Sequence, residues 1–289
     1  METFFSFLEK RVDDCSSLLC VGLDPHIPDL KEPTTNSALD FCLNLVNATA
    51  PYAAAFKPNA AFFEVFGAEG WKALKQVIDA IHDQSNRLGS KIPIILDAKR
   101  GDIASTAEAY AKSAFENLGV DCITLSPYLG KDSIEPFLNG REKGVFLLCK
   151  TSNPGSGDVQ DLTVDGRRWT VDGDSRSMVN DQWSMPLYEY IARLAQTWNV
   201  NNNIGLVVGA THIETMKRVR EAAPNLWFLA PGVGTQGGDL EAALKAGLRK
   251  DGHGMLINVS RSLARSENPR KAALEFRDQI VNIRLQMKH

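Results

Sequence analysis

The sequence lacks the features that would commit it to a membrane, to nucleic acid or to export. No apolar run approaches the roughly 20 residues that a membrane-spanning helix needs, and a formal net charge of −3 gives no basic surface for nucleic acid. The segment 1–5 has neither a basic start nor a long apolar stretch, which argues against a signal peptide. We therefore expect a soluble, cytoplasmic protein whose partners include neither nucleic acid nor a membrane.

Cysteines are few and follow no metal-binding or disulfide pattern. There are five, an odd number, and none belongs to a CxxC pair or to a spacing shared with histidine. Such usage is typical of a reducing compartment, where a buried free cysteine behaves as a small apolar residue. The sequence predicts no metal site and no disulfide framework.

What the sequence does contain is a regular alternation of apolar runs and amphipathic stretches. Eight apolar runs predict strands at 18–23, 53–57, 92–97, 122–126, 145–150, 204–209, 226–230 and 255–259. Helical patterns occur at 3–13, 37–47, 69–82, 103–118, 184–197, 211–221, 239–246 and 269–287. Eight alternations favour a single α/β domain over 1–289, a (β/α)8 TIM barrel with an extra N-terminal helix. A doubly wound open sheet is the alternative, although no GxGxxG motif follows the first strand.

The segment 155–183 interrupts this alternation. It follows the fifth predicted strand, is rich in Gly, Asp, Ser and Arg, and has little periodicity. A loop of this length between a strand and a helix usually has a function or is mobile. We predict a mobile insert within the barrel domain, and no stretch has the composition of a linker to a second domain.

Charged residues gather where the third predicted strand ends. Asp97 and Lys99 follow a buried run and, by strand alternation, point to the same side, while Asp102 lies just beyond. Chemistry in a (β/α)8 barrel collects at the carboxyl ends of the strands. The cluster therefore indicates a functional site, although a salt-bridged strand terminus is the structural alternative.

A phosphate site is predicted at the ends of the seventh and eighth strands. The Gly-rich segment 230–239 can direct backbone N–H groups towards an anion, and Arg261 follows the eighth strand. Loops after these two strands are the usual phosphate site of this barrel. Taken alone, the Gly-rich segment is equally compatible with a tight turn.

Together these motifs resemble the orotidine 5′-monophosphate decarboxylase family over nearly the whole chain, in its longer-insert subgroup. The resemblance is carried by Asp97-x-Lys99-x-x-Asp102 with Ile103 and Thr106, by Val21-Gly22-Leu23-Asp24, by Phe56-Lys57-Pro58, and by the segments 148–155, 231–238 and 260–262. It implies conversion of orotidine 5′-monophosphate (OMP) to UMP and CO2 without a cofactor, by a homodimer. It also implies that the chain could be fused to orotate phosphoribosyltransferase.

The resemblance assigns a role to each matching residue. Lys99 would stabilise the carbanion at C6 of the pyrimidine and protonate it, held in place by Lys57, Asp97 and the Asp102 of a second subunit. Asp102 and Thr106 would thus complete the site of the partner chain. The substrate contacts implied are Asp24, Lys57 and Thr106 on the ribose, Ser152 on the pyrimidine, and Gln236 and Arg261 on the phosphate.

Two other functions share parts of this pattern. Magnesium-dependent relatives that act on sugar phosphates have an acidic metal ligand at the second strand exit, where this chain has Lys57. A cation there repels a divalent metal, so we expect none to bind. The other possible function is that of a nucleotide-binding protein without enzymatic activity. Binding alone, however, needs no buried network of Lys57, Asp97, Lys99 and Asp102.

Overall fold

The computed structural model describes residues 2–172, 175–233 and 238–287. Eight of its strands lie within two or three residues of the predicted runs, because near-continuous apolar segments of this length are typical of parallel strands buried on both faces. The strands are β1 Leu19–Leu23, β2 Ala55–Pro58, β3 Ile95–Arg100, β4 Cys122–Leu125, β5 Gly144–Lys150, β6 Thr163–Asp172, β7 Ser175–Pro186, β8 Ile204–Val208, β9 Phe228–Pro231 and β10 Met255–Val259.

Eight of these strands form one parallel sheet that curves into a barrel. Their order is β2-β1-β10-β9-β8-β5-β4-β3. The two edges meet through bridges between Phe56 and Ile94 and between Asn59 and Asp97, and the Phe56 N–H donates to the Pro93 carbonyl at 3.0 Å. This closure confirms the predicted (β/α)8 barrel and excludes the open doubly wound sheet.

Within the described residues, eight helices follow the predicted amphipathic patterns, and three helices of four residues each were not predicted. The helices are α1 Phe4–Cys15, α2 Thr35–Thr49, α3 Ala61–Glu64, α4 Gly67–Leu88, α5 Ala104–Lys112, α6 Gly157–Gln160, α7 Leu187–Trp198, α8 Ile213–Ala222, α9 Leu240–Gly247, α10 Arg261–Ala264 and α11 Pro269–Gln286. The residues Ser113–Leu118 continue α5 as a π-helix, and the connection from β4 to β5 contains only short 3₁₀ turns. None of the helices in the described part of the chain is long and apolar enough to cross a membrane.

The N-terminal helix α1 closes the end of the barrel at which the strands begin. Its Phe5 ring stacks on Trp227, with 6.0 Å between ring centroids, and meets the Phe146 ring edge-on at 5.7 Å. All three side chains are fully or almost fully buried. Aromatic side chains of this size contribute strongly to core stability. The end of the barrel that α1 closes is therefore filled by packed side chains, and the other end, where the strands exit, is the end available for a functional site.

The predicted irregular insert contains regular structure. After α6, strands β6 and β7 pair as an antiparallel hairpin outside the barrel sheet. Sequence patterning missed this hairpin because a two-stranded ribbon outside the core need not alternate apolar and polar residues. The Lys150 ammonium and the Asp161 carboxylate form an ion pair at 2.6 Å near its base, and the Leu187 N–H donates to the Leu162 carbonyl at 2.8 Å.

Candidate active site

Three charged side chains form a continuous chain at the exits of β2 and β3. The Lys57 ammonium lies 2.7 Å from Oδ2 of Asp97, and the Lys99 ammonium lies 2.5 Å from Oδ1 of the same carboxylate. The side chains of Lys57 and Asp97 are 5% and 12% exposed, whereas that of Lys99 is 49% exposed. One buried carboxylate therefore joins a buried cation to a cation that a ligand can reach.

The buried pair of Lys57 and Asp97 has pKa values shifted in the directions that keep both groups charged. Burial alone would lower the pKa of Lys57, but the negative charges of Asp97 and Asp24 outweigh burial and raise that pKa above its ordinary value. Burial would likewise raise the pKa of the Asp97 carboxyl, but Lys57 and Lys99 hold it well below its usual range. Near neutral pH the lysine and the carboxylate that form the buried pair are both charged.

Strand β3 brings Asp97 and Lys99 together through a bulge. Leu96 pairs with Ile123 and Arg100 with Leu125, so the three residues between them face the single residue Thr124 of β4. Lys99 has a φ of +48°, in the left-handed region. The predicted proximity of Asp97 and Lys99 is confirmed, but a strained bulge and not simple strand alternation produces it.

A cavity of about 310 Å³ opens beside this chain of charges, at the exits of β1, β2, β9 and β10. Asp24 lines it, and Oδ1 of Asp24 is buried without a hydrogen-bond partner within the described residues. Arg261, the predicted phosphate contact, lines the same cavity. The lining also includes His26, Asn59, Phe62, Asn258 and Ser260. A buried acceptor without a donor lowers the stability of the fold, so Oδ1 of Asp24 is available to accept a hydrogen bond from a ligand hydroxyl.

Of the two remaining predicted contacts, the structure describes only Ser152, at the exit of β5. Ser152 follows β5, and Gly209 packs against it so closely that a Cβ on Gly209 would lie 3.1 Å from the Ser152 nitrogen. Gln236 falls in 234–237, outside the described residues. The described part of the Gly-rich segment contains Gly232, whose φ of +105° suits a residue without a side chain.

Asp102 and Thr106 stand apart from the chain of charges within this subunit. The Asp102 carboxylate accepts the Ile103 N–H at 2.8 Å and forms no ion pair with another described residue. Thr106 is exposed at the start of α5. The loops after β3 and β4 also expose apolar side chains, with Ile103 53% and Tyr128 85% accessible.

Sequence patterning did not single out four polar residues at this end of the barrel. Asn59, His26 and Asn258 line the cavity, and Thr124 contacts Asp97 from β4. Asn59 and Asn258 lie at the ends of predicted strands, which could have marked them. No sequence signal marks Thr124, because its role depends on a bulge in the neighbouring strand.

The described residues contain no group of three or more His, Cys, Asp or Glu side chains that could hold a metal ion. The position next to Asp97 at which an acidic ligand would be needed is occupied by the Lys57 ammonium. Two cations already neutralise the one buried carboxylate, so these residues do not fit a divalent metal.

Comparison with known proteins gives a consistent result. The profile of the orotidine 5′-phosphate decarboxylase / HUMPS family matches residues 17–276. The curated orotidine 5′-phosphate decarboxylase of Roseiflexus castenholzii is 45% identical over 289 residues, covering 96% of this chain and 97% of that protein.

Solved structures give the same result. The structure of Leishmania donovani OMP decarboxylase is 50% identical, with a TM-score of 0.82, covering 98% of this chain and 99% of that one. The structure of Leishmania donovani UMP synthase is 52% identical, with a TM-score of 0.83. The match covers 98% of this chain but only 57% of that longer protein.

Proposed function

The chain belongs to the orotidine 5′-phosphate decarboxylase family, and we propose that Lys57, Asp97 and Lys99 form the centre of its reaction. The protein converts OMP to UMP and CO2. Breaking the bond between C6 and the carboxylate leaves an electron pair on a ring carbon that has no adjacent electron sink. The protein itself must therefore stabilise that charge and supply the proton that replaces CO2.

Lys99 is the residue that we propose for both tasks. Its ammonium is the accessible end of the chain of charges, 2.5 Å from a carboxylate that fixes its position. An ammonium beside C6 stabilises the developing carbanion and then transfers its proton to that carbon, and the resulting amine recovers a proton from solvent. The observation that carries the proposal is this accessible cation held by a buried carboxylate.

Asp97 and Lys57 support Lys99 in this proposal. Asp97 accepts hydrogen bonds from both lysines, so it orients Lys99 while Lys57 keeps Asp97 ionised. A fixed arrangement of charges needs little reorganisation when the transition state forms. This arrangement supports a route that uses no cofactor.

The substrate contacts are proposed from the same end of the barrel. Asp24, with its unpaired buried oxygen, and Lys57 would bind ribose hydroxyls. Arg261 and Gln236 would hold the phosphate, and Ser152 the pyrimidine. The cavity that Asp24 and Arg261 both line supports the first two of these subsites.

A homodimer completes the proposed site. Asp102 and Thr106 would enter the partner's site, where Asp102 extends the alternation of charges beyond Lys99. The absence of an ion pair from Asp102 to any described residue of its own subunit supports this placement, as do the exposed side chains of Ile103 and Tyr128. A half-buried carboxylate without an ion pair, next to exposed apolar side chains, is suited to an interface.

Four further statements remain predictions. We propose that 1–289 acts as one domain in the cytoplasm. We also propose that the segment 155–183 serves as a lid. The Lys150–Asp161 ion pair, which attaches this segment close to Ser152, supports the lid. We also retain the proposal of a fusion to orotate phosphoribosyltransferase. The UMP synthase that the chain matches over 57% of its length supports it.

The test of the proposed centre is Lys99→Ala. The variant is expected to bind UMP nearly as wild type does but to lose several orders of magnitude in kcat, since each tenfold loss equals ~1.4 kcal/mol of barrier. Decarboxylation is followed by the absorbance of OMP, and UMP binding by calorimetry. Lys72→Ala, which removes an exposed lysine of α4, is the control. Appreciable turnover by Lys99→Ala, or loss of wild-type activity on chelation of metals, would contradict the proposal.

A further inference from the structure

The bulge in β3 leaves backbone groups that the regular sheet cannot pair. Three residues of β3 face Thr124 alone, so the ladder of hydrogen bonds between β3 and β4 is interrupted at the position from which Lys99 projects. Regular pairing resumes when the Ser126 N–H donates to the Arg100 carbonyl at 2.8 Å. A buried N–H without an acceptor is costly, so the bulge needs an acceptor from elsewhere.

The side chain of Thr124 supplies that acceptor. Its Oγ1 accepts the N–H groups of Ala98 at 3.0 Å and of Lys99 at 2.9 Å. The same hydroxyl donates to Oδ1 of Asp97 at 3.1 Å. A hydroxyl has one donor and two acceptor positions, and Thr124 uses all three on consecutive residues of β3. Thr124 is 1% exposed, so water does not compete for these bonds.

These three bonds act on the two features that define the site. The bonds to the Ala98 and Lys99 amides stabilise a backbone in which Lys99 has a φ of +48°, a conformation that costs free energy in a residue other than glycine. The bond to Asp97 reaches the same oxygen that receives the Lys99 ammonium. The backbone and the ammonium of Lys99 are thus both fixed relative to one hydroxyl.

We propose that Thr124 is a positioning residue for decarboxylation, whose hydroxyl holds the β3 bulge and the Asp97 carboxylate so that the Lys99 ammonium is directed at C6 of the substrate. Thr124 itself does not touch the reacting atoms. The inference rests on the proposed role of Lys99. Its effect falls on the chemical step, because the ribose and phosphate contacts come from other strands.

The test compares variants that remove or keep the hydroxyl. Thr124→Val preserves size and shape but leaves two amides without an acceptor, and we expect kcat to fall about 10- to 100-fold with KM for OMP changed less than about threefold. Thr124→Ser is expected to recover most of this loss. Thr49→Val is the matched control, since Thr49 is a buried threonine of α2 whose hydroxyl donates to the Leu45 carbonyl at 2.7 Å; its kcat should equal that of wild type.

Each outcome decides the proposal. UMP affinity and circular dichroism verify folding, and Thr124→Ala provides the same test should Thr124→Val fail to fold. Wild-type kcat in the variant that lacks the hydroxyl overturns the inference, as does equal damage by Thr124→Ser or a loss confined to KM. If Lys99→Ala also retains activity, the proposed function fails; if only the Thr124 variants retain it, the positioning role alone fails.

Discussion

The buried ion pair between Lys57 and Asp97 offers the sharpest test of the electrostatic reasoning, through the variant Lys57→Met. Methionine preserves most of the volume of lysine but removes the cation that lies 2.7 Å from Asp97. Because the carboxylate is only 12% exposed, hydration by water does not replace the partner that it loses. Removing one member of a buried pair typically lowers the free energy of unfolding by 3–5 kcal/mol. We expect about 3 kcal/mol here, since Lys99 still contacts Asp97.

Urea unfolding at pH 7, followed by tryptophan fluorescence, measures this loss. Adding Asp97→Asn to Lys57→Met removes the uncompensated charge. The free energy of unfolding of the double variant should therefore be at least about 1 kcal/mol higher than the sum of the two single losses predicts. Lys245→Met is the matched control, because Lys245 and Glu241 form an ion pair on the surface with side chains 57% and 50% exposed. That substitution should cost about 0.5 kcal/mol or less.

The same pair predicts how stability depends on pH. Asp97 has a lowered pKa in the folded protein, so its contribution is fully present above the ordinary carboxyl value of about 3.9 and is lost as the pH falls further. Wild type should therefore lose stability more steeply below about pH 4 than Asp97→Asn does. Equal costs for Lys57→Met and Lys245→Met, or strict additivity in the double variant, would refute this account of the pair.

Two further predictions concern substrate contacts. Arg261→Ala should lower kcat/KM for OMP at least 100-fold, or about 2.7 kcal/mol, because binding of the remote phosphate contributes to reaching the transition state; unchanged kcat/KM would contradict the phosphate assignment. Gly209→Ala should raise KM for OMP several-fold, since the new Cβ would lie 3.1 Å from the Ser152 nitrogen and displace that segment; an unaltered KM would show that Ser152 need not hold its position.

The fold could be predicted from the sequence because a parallel barrel imposes a strong pattern. Its strands are buried on both faces and read as short apolar runs, and the helices that cover them carry one apolar face each. The run at 255–259 coincides with β10 for this reason. The hairpin of β6 and β7 could not be predicted in the same way, because neither strand belongs to the barrel sheet.

The charged part of the site was predictable for a related reason. Strand exits in a barrel lie at one end, so Lys57 and Asp97, which are 40 residues apart in the chain, had to come together if the strands were correctly placed. The bulge at Lys99 had no such signal. Within the bulge the Thr124 hydroxyl accepts the Ala98 and Lys99 amides in place of backbone pairing, and no local pattern of residue types encodes that contact.

Lys57 also determines which chemistry of this family the barrel can support. A divalent cation bound beside Asp97 would lie close to an ammonium that is itself only 5% exposed, and repulsion between cations in a partly desolvated site is far stronger than in water. Releasing Lys57 from Asp97 would restore an open carboxylate but leave the buried ammonium unpaired, which is equally costly. The ion pair therefore leaves no open carboxylate for a metal at this position, and it fixes the carboxylate that contacts Lys99. A single lysine at the second strand exit thus links the lack of an acidic ligand there to the role that we propose for Lys99 as the proton donor.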